Sequence, residues 1–239
     1  MKKELTLTNL LNQTLAELTG NARIVGIFVA LIVPISGLFG WVAVAGGEAS
    51  TEFGLNLGST TNLLALGAGL LALYLVSFVI SIALTYWFSA ALMERDPAPG
   101  FSRIWPWVGV YILLIFGIFF GFVLLVVPGV ILLVRWTLVL PLVIEGKMPA
   151  MDAFSESWQR TSGYGWSIFG LLVIAIVVFL VLTGIVSGVT SLLGGAASIP
   201  SIALQAVLDS FSSAVFAAIA VAAWRLSSDE TEAAAEVFG

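Results

Sequence analysis

Leu7, Leu10, Leu11, Leu15 and Leu18 recur at helical spacing near the start of the chain, with Asn9, Asn12, Gln13 and Glu17 opposite them. This pattern predicts an amphipathic helix over 4–20 that lies in a membrane interface. Six apolar segments follow, at about 24–45, 63–92, 107–127, 129–145, 166–193 and 199–226. A helix needs roughly 20 residues to cross about 30 Å of hydrocarbon, and most of these segments reach or exceed that length. The fourth is the exception. It is short, follows Pro128, contains Arg135 and carries Pro141 near its end. A broken or re-entrant helix is the alternative there, a form tolerated only where protein covers it. Between 149 and 162, Met151, Phe154 and Trp158 share one face while Asp152, Glu156, Gln159 and Arg160 point away, which predicts a second interfacial helix. The fold class is therefore all-α: a polytopic bundle of six transmembrane helices with two interfacial helices. It forms one membrane domain over 1–228, followed by a flexible acidic tail at 229–239.

Composition agrees with lipid as the solvent. Of 239 residues, 60% are hydrophobic and 10% charged, against about 25% charged in soluble domains. Ala43-Val44-Ala45 resembles a signal-peptide cleavage site, but the apolar run before it is longer than such a peptide carries. A transmembrane helix is the expectation for that segment.

The charges orient the bundle. Lys2, Lys3 and Arg23 precede the first segment, and Arg95 and Arg103 separate the second and third. Lys147 and Arg160 separate the fourth and fifth, and Arg225 ends the sixth. Six crossings with both termini in the cytoplasm place all eight on one side, leaving only Arg135 inside the membrane, and the loops at 46–62 and 194–198 carry no Lys or Arg. This is the positive-inside pattern. Five crossings would move Lys147, Arg160 and Arg225 to the wrong face. Trp87, Trp105, Trp107, Trp158, Trp166 and Trp224 all fall near the cytoplasmic boundary, as an aromatic belt should, with Trp41 marking the other face. Trp136 falls well inside the fourth segment.

The chain has no histidine and no cysteine. The commonest general base and the usual zinc ligands are therefore missing, and no metal or cofactor site is expected. Neither a phosphate-binding loop nor a nucleophile elbow occurs. An acidic tail of Asp229, Glu230, Glu232 and Glu236, with a net charge of -5, argues against nucleic acid as a partner. Membrane lipids, another membrane or envelope protein, or a second copy of the chain are the expected partners.

Three features stand out from the apolar background. Arg135 and Asp209 lie at depths that differ by about 5 Å at 1.5 Å per residue, which suggests an intramembrane pair, with Gln205 one turn from Asp209. An ionisable group in hydrocarbon usually faces the bundle and a partner. Ser77, Ser81, Thr85 and Ser89, then Ser201, Gln205, Asp209 and Ser213, then Thr183, Ser187 and Ser191 beside Gly184 and Gly188, all form stripes four residues apart. Gly117 and Gly121 form another pair. Such stripes let membrane helices approach closely. Glu145 ends the fourth segment, snorkelling to the interface or meeting the helix at 149–162.

One stretch is distinctive. Pro128-Gly129 leads into Arg135-Trp136 and Pro141, then Glu145-Gly146, Ala153-Phe154, Ser157-Trp158, Arg160-Thr161 and Gly163. Over about forty residues this resembles the glycerophosphoryl diester phosphodiesterase membrane-domain family, six-span proteins of the bacterial inner membrane. Trp224-Arg225-Leu226 is similar to the family's aromatic–aliphatic–Arg ending. The resemblance makes Pro128, Gly129, Arg135, Trp136, Pro141, Glu145 and Trp158 signature positions. It implies a membrane module sometimes joined to a soluble phosphodiesterase domain, whose chemistry uses histidines that this chain lacks. The surface helix is also less basic here than in the family. The expected function is a non-catalytic inner-membrane anchor, scaffold or accessory subunit. The alternative is a transporter or lipid-handling protein built on Arg135 and Asp209.

Overall fold

A computed structural model describes residues 5–53, 60–93, 101–192, 195 and 198–238. Lys2, Lys3, Arg95 and part of each expected outer loop lie outside the described residues. The described chain is helical throughout, with no strand: α1 (Leu7–Gly20), α2 (Ala22–Phe53), α3 (Thr60–Leu92), α4 (Phe101–Leu124), α5 (Val126–Arg135), α6 (Val139–Glu145), α7 (Asp152–Arg160), α8 (Gly165–Leu192) and α9 (Ile199–Phe238). Five stretches among the described residues are long and apolar enough to cross a membrane, and α1 with Ala22–Leu38 raises the number to six if that bent pair is one span. The bend there is 76°, as expected where an interfacial helix turns into a crossing one.

The fourth apolar segment is two helices, α5 and α6, separated at Trp136–Leu138. Proline explains the break. Within one continuous helix, Pro141 would withhold an N–H from the Thr137 carbonyl and press its ring against it. Starting α6 at Val139 puts Pro141 in a first turn, where backbone N–H groups lack intrahelical acceptors anyway. Pro128 takes the same position in α5.

Two helices run further than the apolar segments. Residues 229–238 continue α9 as helix, since Thr231–Glu236 is dominated by alanine and glutamate, strong helix formers. Likewise α2 runs to Phe53, so residues 46–53 are helix, not loop.

The chain divides into two compact units. The first comprises Met1–Val25, Tyr86–Val177 and Ala214–Gly239, and its core includes Leu10, Phe88, Leu138, Leu142, Ile168 and Ile219. Its α4 and α5 form a hairpin joined by the single extended residue Leu125. Glycine sets their separation: a Cβ on Gly121 would stand 2.9 Å from the Gly129 Cα, and one on Gly117 would run into the Trp136 indole. The Gly117/Gly121 pair is thus a close-approach surface, as its spacing implies. Phe116, Phe119, Phe120 and the whole Val123–Val127 turn are exposed, a surface suited to lipid and not to water.

The second unit comprises Gly26–Thr85 and Val178–Ser213. Phe28, Ser77, Thr190, Ser201 and Ala206 are buried, and α2 meets α9 where Gly40 faces Ile202. Phe179 and Phe211 pack with ring centroids 6.2 Å apart. Gly184 and Gly188, expected to line a helix contact, have nothing within 4 Å of where a Cβ would stand.

Candidate functional site

The polar side chains of the first unit gather around the ends of α6 and α7 and the Trp224–Ser228 stretch of α9. Glu145 is the last residue of α6, and its side chain is 2% exposed. It does not reach out to solvent. Lys147 pairs with one carboxylate oxygen at 2.7 Å and the Trp224 indole N–H donates to the other at 3.0 Å. Gly146 closes α6 in the left-handed conformation, with φ 72°. Its carbonyl accepts a 2.7 Å hydrogen bond from Arg103 of α4. A side chain there would be strained and would also collide with the Arg103 guanidinium.

Arg225, the neighbour of Trp224, pairs at 2.9 Å with Glu17 of α1 and donates at 2.6 Å to the Leu92 carbonyl at the end of α3. Glu17 is therefore not on a water-facing side of α1, as the leucine pattern suggests. Its side chain is 4% exposed, and Leu10, Thr14 and Glu17 form the buried face. Gln13 also donates to Glu17, at 2.9 Å. The sequence offers one usable signal for this: Gln13 and Glu17 are one turn apart, and the sixth apolar segment carries Arg225 at its end. Two adjacent residues of α9 thus tie together the ends of α1, α3 and α6.

The third cluster surrounds Arg135. α7 packs through the small residues Ala153, Ser157 and Thr161, which are buried, while Met151 and Trp158 are exposed. Met151 and Trp158 thus stay on the side expected to face the membrane interface, while the small residues permit close approach to the α5–α6 break. The Ser157 hydroxyl donates to the Arg135 carbonyl at 2.6 Å. The Arg135 guanidinium lies 5.3 Å from the centroid of the Trp158 ring and makes a long, 3.5 Å contact with the Trp158 carbonyl. Trp136 fills the break and meets Phe154 edge-on at 5.0 Å. Arg160 pairs with Glu156 at 2.6 Å and donates to Ser228 of α9 at 3.3 Å.

Arg135 belongs to the first unit and Asp209 to the second. Asp209 is exposed on α9 with Gln205 half-buried one turn away, and the Asp209 carbonyl accepts from Ser213 at 2.9 Å. Several stripe hydroxyls are bonded within their own helices. Thr85 donates to Ser81, Ser191 to Gly188 and Ser213 to Asp209, all at backbone carbonyls. In this arrangement the hydroxyl protons go to the preceding turn of the same helix and not to a neighbouring helix.

Of the sequence-derived candidates, Arg135, Trp136 and Trp158 form one cluster and Glu145 belongs to another with Trp224. Among the described residues, no group of three or more His, Cys, Asp or Glu could hold a metal ion. The family described as the membrane domain of glycerophosphoryl diester phosphodiesterase matches residues 107–226, half of the chain, from the first third of α4 to Leu226 of α9. No curated protein and no solved structure matches the chain.

Proposed function

Because the chain belongs to the glycerophosphoryl diester phosphodiesterase membrane-domain family, we propose that it is a membrane-embedded module without hydrolytic activity of its own: an anchor, scaffold or accessory subunit for another membrane or envelope component. The observation that carries this reading is the commitment of the buried carboxylates. Glu145 is held by Lys147 and Trp224, and Glu17 by Arg225 and Gln13. A catalytic acid or base needs a reacting atom within hydrogen-bond reach, whereas the contacts of these two groups are to side chains that fix helix ends. The missing histidines point the same way.

The module sits in a bacterial inner membrane with six crossings and both termini in the cytoplasm. The distribution of Lys and Arg supports this orientation, as does the exposure of Trp105, Trp158 and Trp166.

Purified full-length protein in lipid discs, incubated with glycerophosphodiesters and divalent cations, tests the reading. No alcohol or glycerol phosphate should form above the protein-free rate. Turnover that disappears in Glu145→Gln would overturn it.

A further inference from the structure

A groove of about 660 Å³ runs along α5 in the first unit, with Arg135, the last residue of that helix, in its lining. Val127, Val130 and Val134 line it from α5 and Phe169 from α8, while Trp158 and Trp166 stand beside Arg135. From Val126 to Arg135 the helix rises about 14 Å at 1.5 Å per residue. The groove is thus a long apolar trough with a single fixed positive charge at one end.

That charge is unusual in its surroundings. The ion pairs found among the described residues join Lys147, Arg160 and Arg225 to glutamates, and none involves Arg135. A guanidinium has five N–H donors, and the protein occupies these with one long contact to the Trp158 carbonyl. The ring of Trp158 holds the group in place without neutralising it. Capping the carboxyl-terminal end of α5 accounts for a cation at this position, but not for the trough that leads away from it. Trp158 and Trp166 are 43% and 85% exposed, and exposed tryptophans in membrane proteins mark the headgroup level. Arg135 shares the groove with Gly165 and Trp166 of the first turn of α8, so the charge sits beside one end of that helix.

We propose that this groove is a binding site for an anionic phospholipid, with the phosphate on the Arg135 guanidinium and one acyl chain along α5 against Val130, Val134 and Phe169. The charge complements a phosphodiester, and Arg is suited to bidentate phosphate contacts. The valine floor offers an acyl chain apolar contact and no competing hydrogen bond. A free phosphate would use only the mouth of the site, so the trough selects a lipid.

Native mass spectrometry of the full chain, with phosphatidylglycerol and phosphatidylcholine added in detergent, provides the test. The wild type should retain phosphatidylglycerol preferentially. Arg135→Gln should weaken that retention about tenfold, the loss of one charge-assisted contact. Arg135→Lys should keep part of the preference, and Arg23→Gln, on the exposed start of α2, should keep all of it. Val130→Trp, which fills the trough and leaves the charge in place, should lower retention of both lipids, and it tests the site even if Arg135→Gln fails to fold. An unchanged preference in Arg135→Gln, equal loss in Arg23→Gln, full retention in Val130→Trp, or displacement of the lipid by inorganic phosphate would each overturn the proposal.

Discussion

Trp224 donates its indole N–H to the Glu145 carboxylate at 3.0 Å, joining the end of α6 to α9 across 79 positions of sequence. Glu145 is almost fully buried, so this bond satisfies a charge that water cannot reach. Trp224→Phe keeps much of the ring and deletes the donor. The expected cost is about 1.5–3 kcal/mol, the range for a hydrogen bond to a buried charged group. Thermal unfolding of purified wild type and variant checks it, and an unchanged transition would mean that the indole contributes only packing.

The Arg225–Glu17 pair should behave as a coupled unit. Arg225→Met leaves Glu17 buried without its cation, and breaking a buried pair from one side costs about 3–5 kcal/mol. Arg225 is itself 30% exposed, so the lower end of that range is expected. Adding Glu17→Leu removes the stranded charge and should restore most of the lost stability. A double-mutant cycle in which the two losses simply add would rule out coupling.

Glycines that look alike in sequence should respond differently to alanine. On Gly121 the new methyl would meet the Gly129 backbone at 2.9 Å, and backbone cannot rotate away. Overpacking of this kind costs about 1–3 kcal/mol. At Gly109, on the same helix, a Cβ meets nothing within 4 Å, and Gly→Ala should stabilise by up to about 1 kcal/mol through helix propensity. Comparing the melting temperatures of the two variants reads out both signs together.

Reporter fusions test the orientation. A fusion near Gly58 should report the outer side, and one near Pro149 the cytoplasmic side. Reversed signals would overturn the positive-inside reading.

Chain pattern alone carries the apolar segments into the structure nearly intact. α3, α4, α8 and the membrane part of α9 begin and end close to where hydropathy places them. The reason is physical: a helix in lipid must satisfy its backbone internally and bury little, so its sequence needs only to be long and apolar. The small-residue pair at Gly117 and Gly121 is legible for a related reason, since spacing by four puts both on one face of a helix.

The polar sites are a different matter. The Gln13–Glu17 spacing marks Glu17 locally, but nothing local names Arg225 as its partner or predicts that Glu145 would be closed by Trp224 instead of reaching solvent. These pairings join residues 79 to 208 positions apart, and only packing of the helix ends brings them together. Arg135 shows the division most clearly. The sequence by itself determined a cation in a short, proline-flanked apolar segment, whose prolines disfavour one unbroken helix. Only the tertiary structure decided that the break is filled by Trp136, that α7 docks there through Ala153, Ser157 and Thr161, and that the guanidinium comes to rest beside Trp158 at the end of an apolar groove. Hydropathy measures transfer of each residue into lipid, whereas the position of a charge within a bundle depends on which neighbours compensate it.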